Sequence, residues 1–237
     1  MKRIGIVAAL DREVAVFRGG LSRPTHKAIG SYRVTTGFSG QKEVATVISG
    51  VGGRCAAGAV RELIKSFRPD LVISTGYAGG LSPEIRVGDI VVMGEVIHES
   101  GKRVVSRSMD GFNPSPPVRR GPILTTNRFI PFSRDKYRLY EKFGATAVDM
   151  ESFFLGEEAE KSNIPFLSIR AISDAVDQDV PQISNIVGGD GRPNLKRIAR
   201  YFLAHPKMIL PSIGVLGDIR KATKVLNFYL EDFVSSM

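Results

Sequence analysis

Two segments in the second half of the chain each end an apolar run in acidic residues. Val148-Asp149-Met150-Glu151 is the first, and the run that begins at Phe166 ends in Ser173-Asp174. Open α/β sheets bind ligands just outside the carboxyl ends of their strands. Carboxyl groups that meet there suit acid–base catalysis or the binding of hydroxyl groups. We therefore expect the functional site to lie between these two segments.

A third acidic strand end follows the first apolar run of the chain, residues 4–10. Glu13 would stand at the same sheet edge as Asp174 if their strands are neighbours. Taken singly, Glu13 is more typical of a charge at a helix N-terminus, where the helix dipole favours it. A position at a helix N-terminus is also the alternative for the other two acids. Glu151 stands at the start of a predicted helix, and Asp174 is a candidate helix cap. Three acids at three strand ends together favour a site.

The elements that must position these acids alternate between strands and helices. Short continuous apolar runs predict strands covered on both faces, and apolar spacing along one side predicts a helix. This order predicts a single-domain, three-layer α/β/α fold with a central mixed twisted sheet, in which the first strand is central. The polar, proline-containing segment 99–122 predicts a surface loop or lid. Predicted strands cover residues 4–10, 33–37, 43–49, 71–74, 87–92, 94–98, 123–126, 145–150 and 165–172, with a helix at 54–67 and a hairpin at 39–42.

The glycine segment Thr75–Gly80 follows a predicted strand. It lacks the lysine of a Walker motif and the spacing of a dinucleotide fingerprint. Glycines at this point allow a base or a sugar to lie close against the main chain. A tight turn that needs positive φ explains the segment equally well.

Composition limits the classes of function. The 237 residues carry 33 Lys and Arg against 24 Asp and Glu, and 43% are hydrophobic. This predicts one domain over residues 1–237. The basic balance attracts anions, but the sequence has neither zinc-finger spacing nor an RNA-binding aromatic motif, so we expect no nucleic-acid partner.

Reactive side chains other than the acids are sparse. The single cysteine, Cys55, predicts a reducing compartment and a cytoplasmic protein. His26, His98 and His205 have no spacing typical of metal ligation, so no metal is expected. No Gly-x-Ser-x-Gly elbow is present, which argues against the usual hydrolase nucleophile.

Six motifs occur in order along the chain: Ile4 to Val14, Ser49-Gly-Val-Gly52, Thr75 to Leu81, Val87-Gly-Asp-Ile-Val-Val92, Val148 to Glu151 and Arg170-Ala-Ile-Ser-Asp174. They resemble the nucleoside phosphorylase superfamily, and most of all its methylthioadenosine/S-adenosylhomocysteine nucleosidase branch. The likeness covers residues 1 to about 178 and implies cleavage of a purine N-glycosidic bond, the base being adenine, without a metal or organic cofactor. We also expect a homodimer or a higher homo-oligomer.

The resemblance implies three catalytic residues. Asp174 matches the acid that protonates or hydrogen-bonds purine N7, and Glu13 matches the residue that activates water. Arg170 helps to order that region. An acid that acts near neutral pH needs a raised pKa from burial or from a neighbour of like charge.

It also implies the residues that bind the substrate. Glu151 matches the carboxylate that binds the ribose 2′ and 3′ hydroxyls, and Met150 lies under the sugar. The remaining substrate positions are Tyr77, Ala78 and Gly79 around the base, Phe129 as the stacking ring, Ser173 as the partner that orients Asp174, and Asp149.

Several positions depart from the nucleosidase pattern. Tyr77 replaces a small residue, Asp149 replaces a common Glu, and Asn127-Arg128 replaces Asp-Ala. Ser74-Thr75 stands where bacterial phosphorylases of the superfamily have an arginine, which favours water over phosphate as nucleophile. Phosphorolysis, with Arg12 or Arg54 as a phosphate ligand, stays an alternative, as does a nucleoside-binding module without turnover.

The tail, residues 190–237, is predicted to be a helical extension. Asp190-Gly191-Arg192 and His205-Pro206 resemble hopanoid-associated phosphorylases. This likeness adds an adenosylated hopanoid lipid, as part of the phosphorolysis alternative, to the substrates that stay open: methylthioadenosine, adenosylhomocysteine and inosine. Two interpretations stay open. Either the tail packs on the core or at a subunit interface, or its basic, apolar-rich helices make peripheral contact with an anionic membrane.

Overall fold

The computed structural model describes residues 2–93, 95–105, 118–180 and 209–237, and the side chains of 209–213 are not included. The tail positions 190–192 and 205–206, and the central part of the predicted loop at 99–122, lie outside these ranges. The predicted class is confirmed, because the described chain is a mixed sheet with helices on both faces.

The described strands follow the predicted runs, except that the strands at residues 22–29 and 103–105 were not predicted. They are β1 (Arg3–Ala8), β2 (Ser22–Ile29), β3 (Tyr32–Ser39), β4 (Lys42–Ile48), β5 (Leu71–Gly80), β6 (Ile90–Met93), β7 (Glu95–His98), β8 (Arg103–Val105), β9 (Ile123–Thr125), β10 (Ala147–Asp149) and β11 (Phe166–Asp174). The helices are a 3-10 turn at Asp11–Glu13, α1 (Ala15–Gly19), α2 (Gly53–Phe67), α3 (Ser133–Phe143), α4 (Ser152–Lys161) and α5 (Ile209–Ser236).

Four parallel strands, β4, β1, β5 and β11, form the centre of the sheet. The strand order is β2-β3-β4-β1-β5-β10-β9-β7-β8, and β11 pairs with both β5 and β6. β1 lies between β4 and β5, so its predicted central position is confirmed. Ala8 and Ile169 both lie opposite Thr75 in the parallel register. The carboxyl ends of β1 and β11 therefore reach the same edge of the sheet on either side of β5.

Helices cover both faces of this sheet. On one face α2 and α4 pack against the strands, and Ala56, Val60 and Leu63 of α2 are buried. On the other face the described helix of the tail, α5, buries Leu226 and Phe233 among core residues of β1, β5 and β11. This packing favours the interpretation in which the tail rests on the core.

Two segments differ from their predictions. β5 continues through the glycines to Gly80, where it pairs antiparallel with β10, so Thr75–Gly80 is a strand rather than a tight turn. β8 lies within the segment predicted to be a loop and pairs with β7. The predicted hairpin is confirmed, with Ser39 opposite Lys42.

Candidate active site

The strand topology brings the three acids to one edge of the sheet. Glu13 follows β1, Glu151 lies between β10 and α4, and Asp174 ends β11. β5 runs between them, and its glycines leave room for the side chains of Glu13 and Asp174. A Cβ on Gly76 would lie 2.9 Å from Glu13 Oε1, and a Cβ on Gly79 would lie 3.0 Å from Asp174 Oδ2. These glycines therefore serve the close approach of two carboxylates to the backbone of β5.

Glu13 is buried. Its sequence position alone favoured an exposed charge at a helix end. Its carboxylate accepts hydrogen bonds from Leu10 N at 2.8 Å and Tyr77 N at 3.3 Å. Burial raises the pKa of Glu13, against the opposing influence of these amides and of the Arg170 charge. A carboxylate with a raised pKa is better suited to take a proton.

Glu151 lies directly before α4 and reaches the glycine break that follows β4. Gly52 N donates to its Oε1 at 2.7 Å. The pKa of Glu151 is raised to about 7, mainly by burial and secondly by the negative charge of Asp149. This carboxylate therefore changes charge near neutral pH.

Arg170 and Asp149 form a buried ion pair behind the acids. Arg170 Nε and Nη2 both lie 2.8 Å from Asp149 Oδ2, and Nη2 also donates to Ser74 Oγ and Ser152 Oγ. Thr125 Oγ1 donates to Asp149 Oδ1 at 2.7 Å. Protein groups already surround both carboxylate oxygens of Asp149. We therefore propose that Asp149 positions Arg170. The resemblance had implied that Asp149 binds substrate.

We predict that Asp149→Asn destabilises the fold strongly. The substitution leaves the Arg170 charge buried without its counter-ion, which costs about 3–5 kcal/mol in the free energy of unfolding. Urea denaturation followed by circular dichroism measures this. The control is Glu62→Gln, which breaks the surface pair of Glu62 with Lys65 and should cost about 0–1 kcal/mol. Equal, small losses in both variants would contradict the prediction.

Asp174 is held by two side chains. Ser173 Oγ donates to its Oδ1 at 2.6 Å, the orienting contact that the resemblance implied. Its Oδ2 lies 2.5 Å from Nζ of Lys136, a fully buried residue of α3. The burial expected of this acid is present, but the charged neighbour is a cation. Sequence reasoning missed Lys136, because it stands beside the charged residues Arg134 and Asp135 in what reads as a solvated helix face.

Tyr77 links the site to α5. Its hydroxyl lies 2.6 Å from Thr223 Oγ1, and the guanidinium of Arg12 lies 5.5 Å from its ring centre. Burial raises the pKa of the Tyr77 phenol. The side chain that departs most from the family pattern thus contacts the tail helix, which forms part of the wall beside Glu13.

The remaining predicted residues lie around the same edge. Ala78 is buried on β5, and its carbonyl oxygen lies 3.3 Å from Ser173 Oγ. Met150 lies between Asp149 and Glu151 and is partly exposed. Phe129, between β9 and α3, is 39% exposed, so its ring has a free surface on which a flat base can stack.

In the ranges that the structure describes, no group of three His, Cys, Asp or Glu side chains is arranged to hold a metal ion. Among the described helices none has the length and apolar character needed to cross a membrane.

Comparisons with known proteins identify the family of the chain. The family model described as the phosphorylase superfamily matches residues 3–116 and 102–204. A 5′-methylthioadenosine/S-adenosylhomocysteine nucleosidase from Exiguobacterium sp. is 31% identical over 202 residues, which cover 75% of this chain and 87% of the relative.

Two solved structures of nucleosidases with the same name share the fold. The enzyme from Neisseria meningitidis, in complex with methylthio-immucillin-A, superposes with a TM-score of 0.78 at 22% identity and covers all of both chains. The enzyme from Colwellia psychrerythraea, in complex with adenine, has a TM-score of 0.67 at 26% identity and covers 73% of this chain and 83% of that one.

Proposed function

The chain belongs to the phosphorylase superfamily, and we propose that it is a nucleosidase that cleaves the N-glycosidic bond of a purine nucleoside with water and releases adenine. One observation carries this proposal: Glu13, Glu151 and Asp174 share one sheet edge, and each has different partners. Three carboxyl groups in three environments allow three separate roles.

Asp174 acts on the leaving base. A purine leaves more readily when N7 accepts a proton, because the electron pair of the broken C1′–N9 bond then remains on a neutral base. The hydrogen bond from Ser173 fixes the carboxyl group next to the backbone of Gly79, against which the base lies. Phe129 stacks on the opposite face of the base.

Glu151 binds the sugar. A carboxylate accepts hydrogen bonds from both ribose hydroxyls, and its negative charge stabilises the positive charge that develops on the sugar as the bond breaks. Its hydrogen bond from Gly52 N fixes the carboxylate for this role. Met150 supplies the apolar surface under the ring.

Glu13 takes a proton from the attacking water. Its burial and raised pKa suit a general base, and the Tyr77 amide holds its carboxylate in place. The positive charge of Arg170, itself fixed by Asp149, keeps a fraction of Glu13 ionised. Water thus approaches C1′ beside Glu13, while the base leaves beside Asp174.

Water is favoured over phosphate as the nucleophile. The two arginines raised as phosphate ligands are exposed, Arg12 over the Tyr77 ring and Arg54 in the first turn of α2. A phosphate dianion next to the buried Glu13 would add a like charge where burial already disfavours one. The relatives named above are nucleosidases, which also supports hydrolysis.

We predict that kcat/KM rises as the pH increases through about 7. The raised pKa of Glu151 leaves part of the free enzyme with a neutral carboxyl group, which accepts the sugar hydroxyls less well. Besides burial, this pKa is raised by the charges of Asp149 and Glu13 and lowered by the Arg170 charge and the Gly52 amide. The pH profile of Glu151→Gln should lose this rise, and that of Glu160→Gln, on the exposed side of α4, should keep it. An unchanged profile in Glu151→Gln would contradict the assignment.

Chromatography of the base released from a nucleoside panel tests the proposal. Methylthioadenosine, S-adenosylhomocysteine, adenosine and inosine are incubated in buffers with and without phosphate. We expect free adenine without phosphate from at least one adenine nucleoside. Nucleoside binding without base release in either buffer would instead favour a binding module, and release only with phosphate would favour phosphorolysis.

A narrower proposal concerns a lipid substrate. The outer side of α5 carries Arg220, Lys224 and Phe228, and Phe228 is 69% exposed. This surface suits contact with an anionic membrane, where an adenosylated hopanoid would be presented. Truncation of the tail is a poor test because α5 supplies core residues. Flotation with anionic liposomes should decrease in Phe228→Ser combined with Lys224→Glu, and equal flotation of the wild type and the variant would exclude this contact.

Assembly is the remaining expectation. A homodimer or a higher homo-oligomer, expected from the sequence, stays a prediction that size-exclusion chromatography with light scattering tests.

A further inference from the structure

Lys136 is a fully buried lysine whose polar contacts all lie around Asp174. Its Nζ faces Asp174 Oδ2 at 2.5 Å and donates to the carbonyl oxygens of Ala175 and Gln178, each at 2.9 Å. The two carbonyl oxygens take two of the three ammonium protons, and Asp174 Oδ2, which has no hydrogen-bond partner in the described part of the chain, meets Nζ as an ion pair. α3 thus inserts one cation behind the acid at the end of β11.

A lysine is an unusual choice for this place. Its ammonium is strongly hydrated, and its burial is unfavourable unless it is paired and hydrogen-bonded. A helix of this kind places such residues on its solvent face, as Arg134 and Lys142 of the same helix do. The carbonyl contacts alone would anchor the loop after β11, but they do not require a charge. The positive charge of Lys136 is instead balanced by its ion pair with Asp174.

The pair places a group that carries protons beside Asp174. An acid that gives its proton to N7 must regain one in each turnover. Lys136 is the described group in contact with Oδ2 that carries one.

We propose that Lys136 is a positioning residue that orients Asp174 and supplies the proton that Asp174 passes to the purine; this rests on the role of Asp174 under Proposed function. The Nζ–H bond breaks as an O–H bond forms on Asp174 Oδ2, and the carboxyl group gives a proton to N7. The base leaves with the electron pair of the C1′–N9 bond. Glu13 later releases to solvent the proton that it took from water, and Lys136 regains one from solvent.

A series of leaving groups tests this proposal in Lys136→Met. The series is adenosine, 2-fluoroadenosine and 4-nitrophenyl β-D-riboside, ordered by a decreasing need for protonation. We expect turnover of adenosine to fall about 100-fold or more, and the loss to shrink along the series. Lys142→Met, on the exposed side of the same helix, should match the wild type throughout. Lys136→Arg keeps the charge and should recover part of the rate.

The outcomes separate this inference from the proposed function. An equal loss for every leaving group would mean that Lys136 only maintains the fold, and wild-type turnover of adenosine by Lys136→Met would remove it from the reaction; either result overturns the inference. Asp174→Asn is measured on the same series. If Asp174→Asn hydrolyses adenosine normally, the acid role itself fails. If only Asp174→Asn shows a loss that depends on the leaving group, the acid role stands without Lys136. Melting temperatures confirm that the variants compared are folded.

Discussion

Asp174→Asn is expected to reduce turnover of an adenine nucleoside by about 10²–10⁴-fold, the range typical of a lost general acid. The amide has nearly the shape of the carboxyl group and can keep the contact with Ser173, but it cannot deliver a proton to N7. Nucleoside binding should remain largely intact, because the sugar is proposed to bind to Glu151. Adenine release measured by chromatography, together with binding measured by calorimetry, separates the two effects.

The control for this variant is Asp177→Asn, three positions further along and exposed to solvent. It should behave as the wild type in both measurements. Near-normal turnover of Asp174→Asn would remove Asp174 from the acid role, and loss of binding together with turnover would assign it to substrate binding instead.

Glu13→Gln is expected to lower turnover by a comparable factor, about 10²–10⁴-fold, for a different reason. The single carbonyl oxygen of glutamine can keep the shorter hydrogen bond, from Leu10 N, while the longer one from Tyr77 N is lost. The larger effect is that an amide cannot take the proton of the attacking water. Steady-state kinetics should show a fall in kcat with little change in KM.

Glu84→Gln is the matched control, an exposed glutamate on the loop after β5, and should retain wild-type kinetics. A Glu13→Gln variant that hydrolyses nucleosides at the wild-type rate would show that water is activated by another group.

The edge of the sheet that carries the site could be predicted from the sequence. Short apolar runs predicted β1 and β11 as buried strands, and parallel strands bring their carboxyl ends to one edge. Glu13, Glu151 and Asp174 were therefore identified before their contacts were known. What the spacing could not distinguish was a buried Glu13 from a charge at a helix end, because both place an acid directly after a strand.

Contacts between distant segments could not be predicted. Lys136 and Asp174 are paired across 38 positions of sequence, and Tyr77 meets Thr223 across 146. A lysine among charged residues of an amphipathic helix reads as solvated, since nothing local marks the one position that turns inward. The glycines of β5 were open to two interpretations for a similar reason: their need for space arises from side chains on other strands.

The identity of the sugar product tests the central claim most directly. The enzyme is incubated with an adenine nucleoside in a buffer that contains phosphate, and the products are separated and identified by mass spectrometry. Hydrolysis assisted by Glu13 and Asp174 predicts adenine and the free sugar, formed at the same rate when phosphate is omitted. Formation of the sugar 1-phosphate, with no base released in the absence of phosphate, would contradict it.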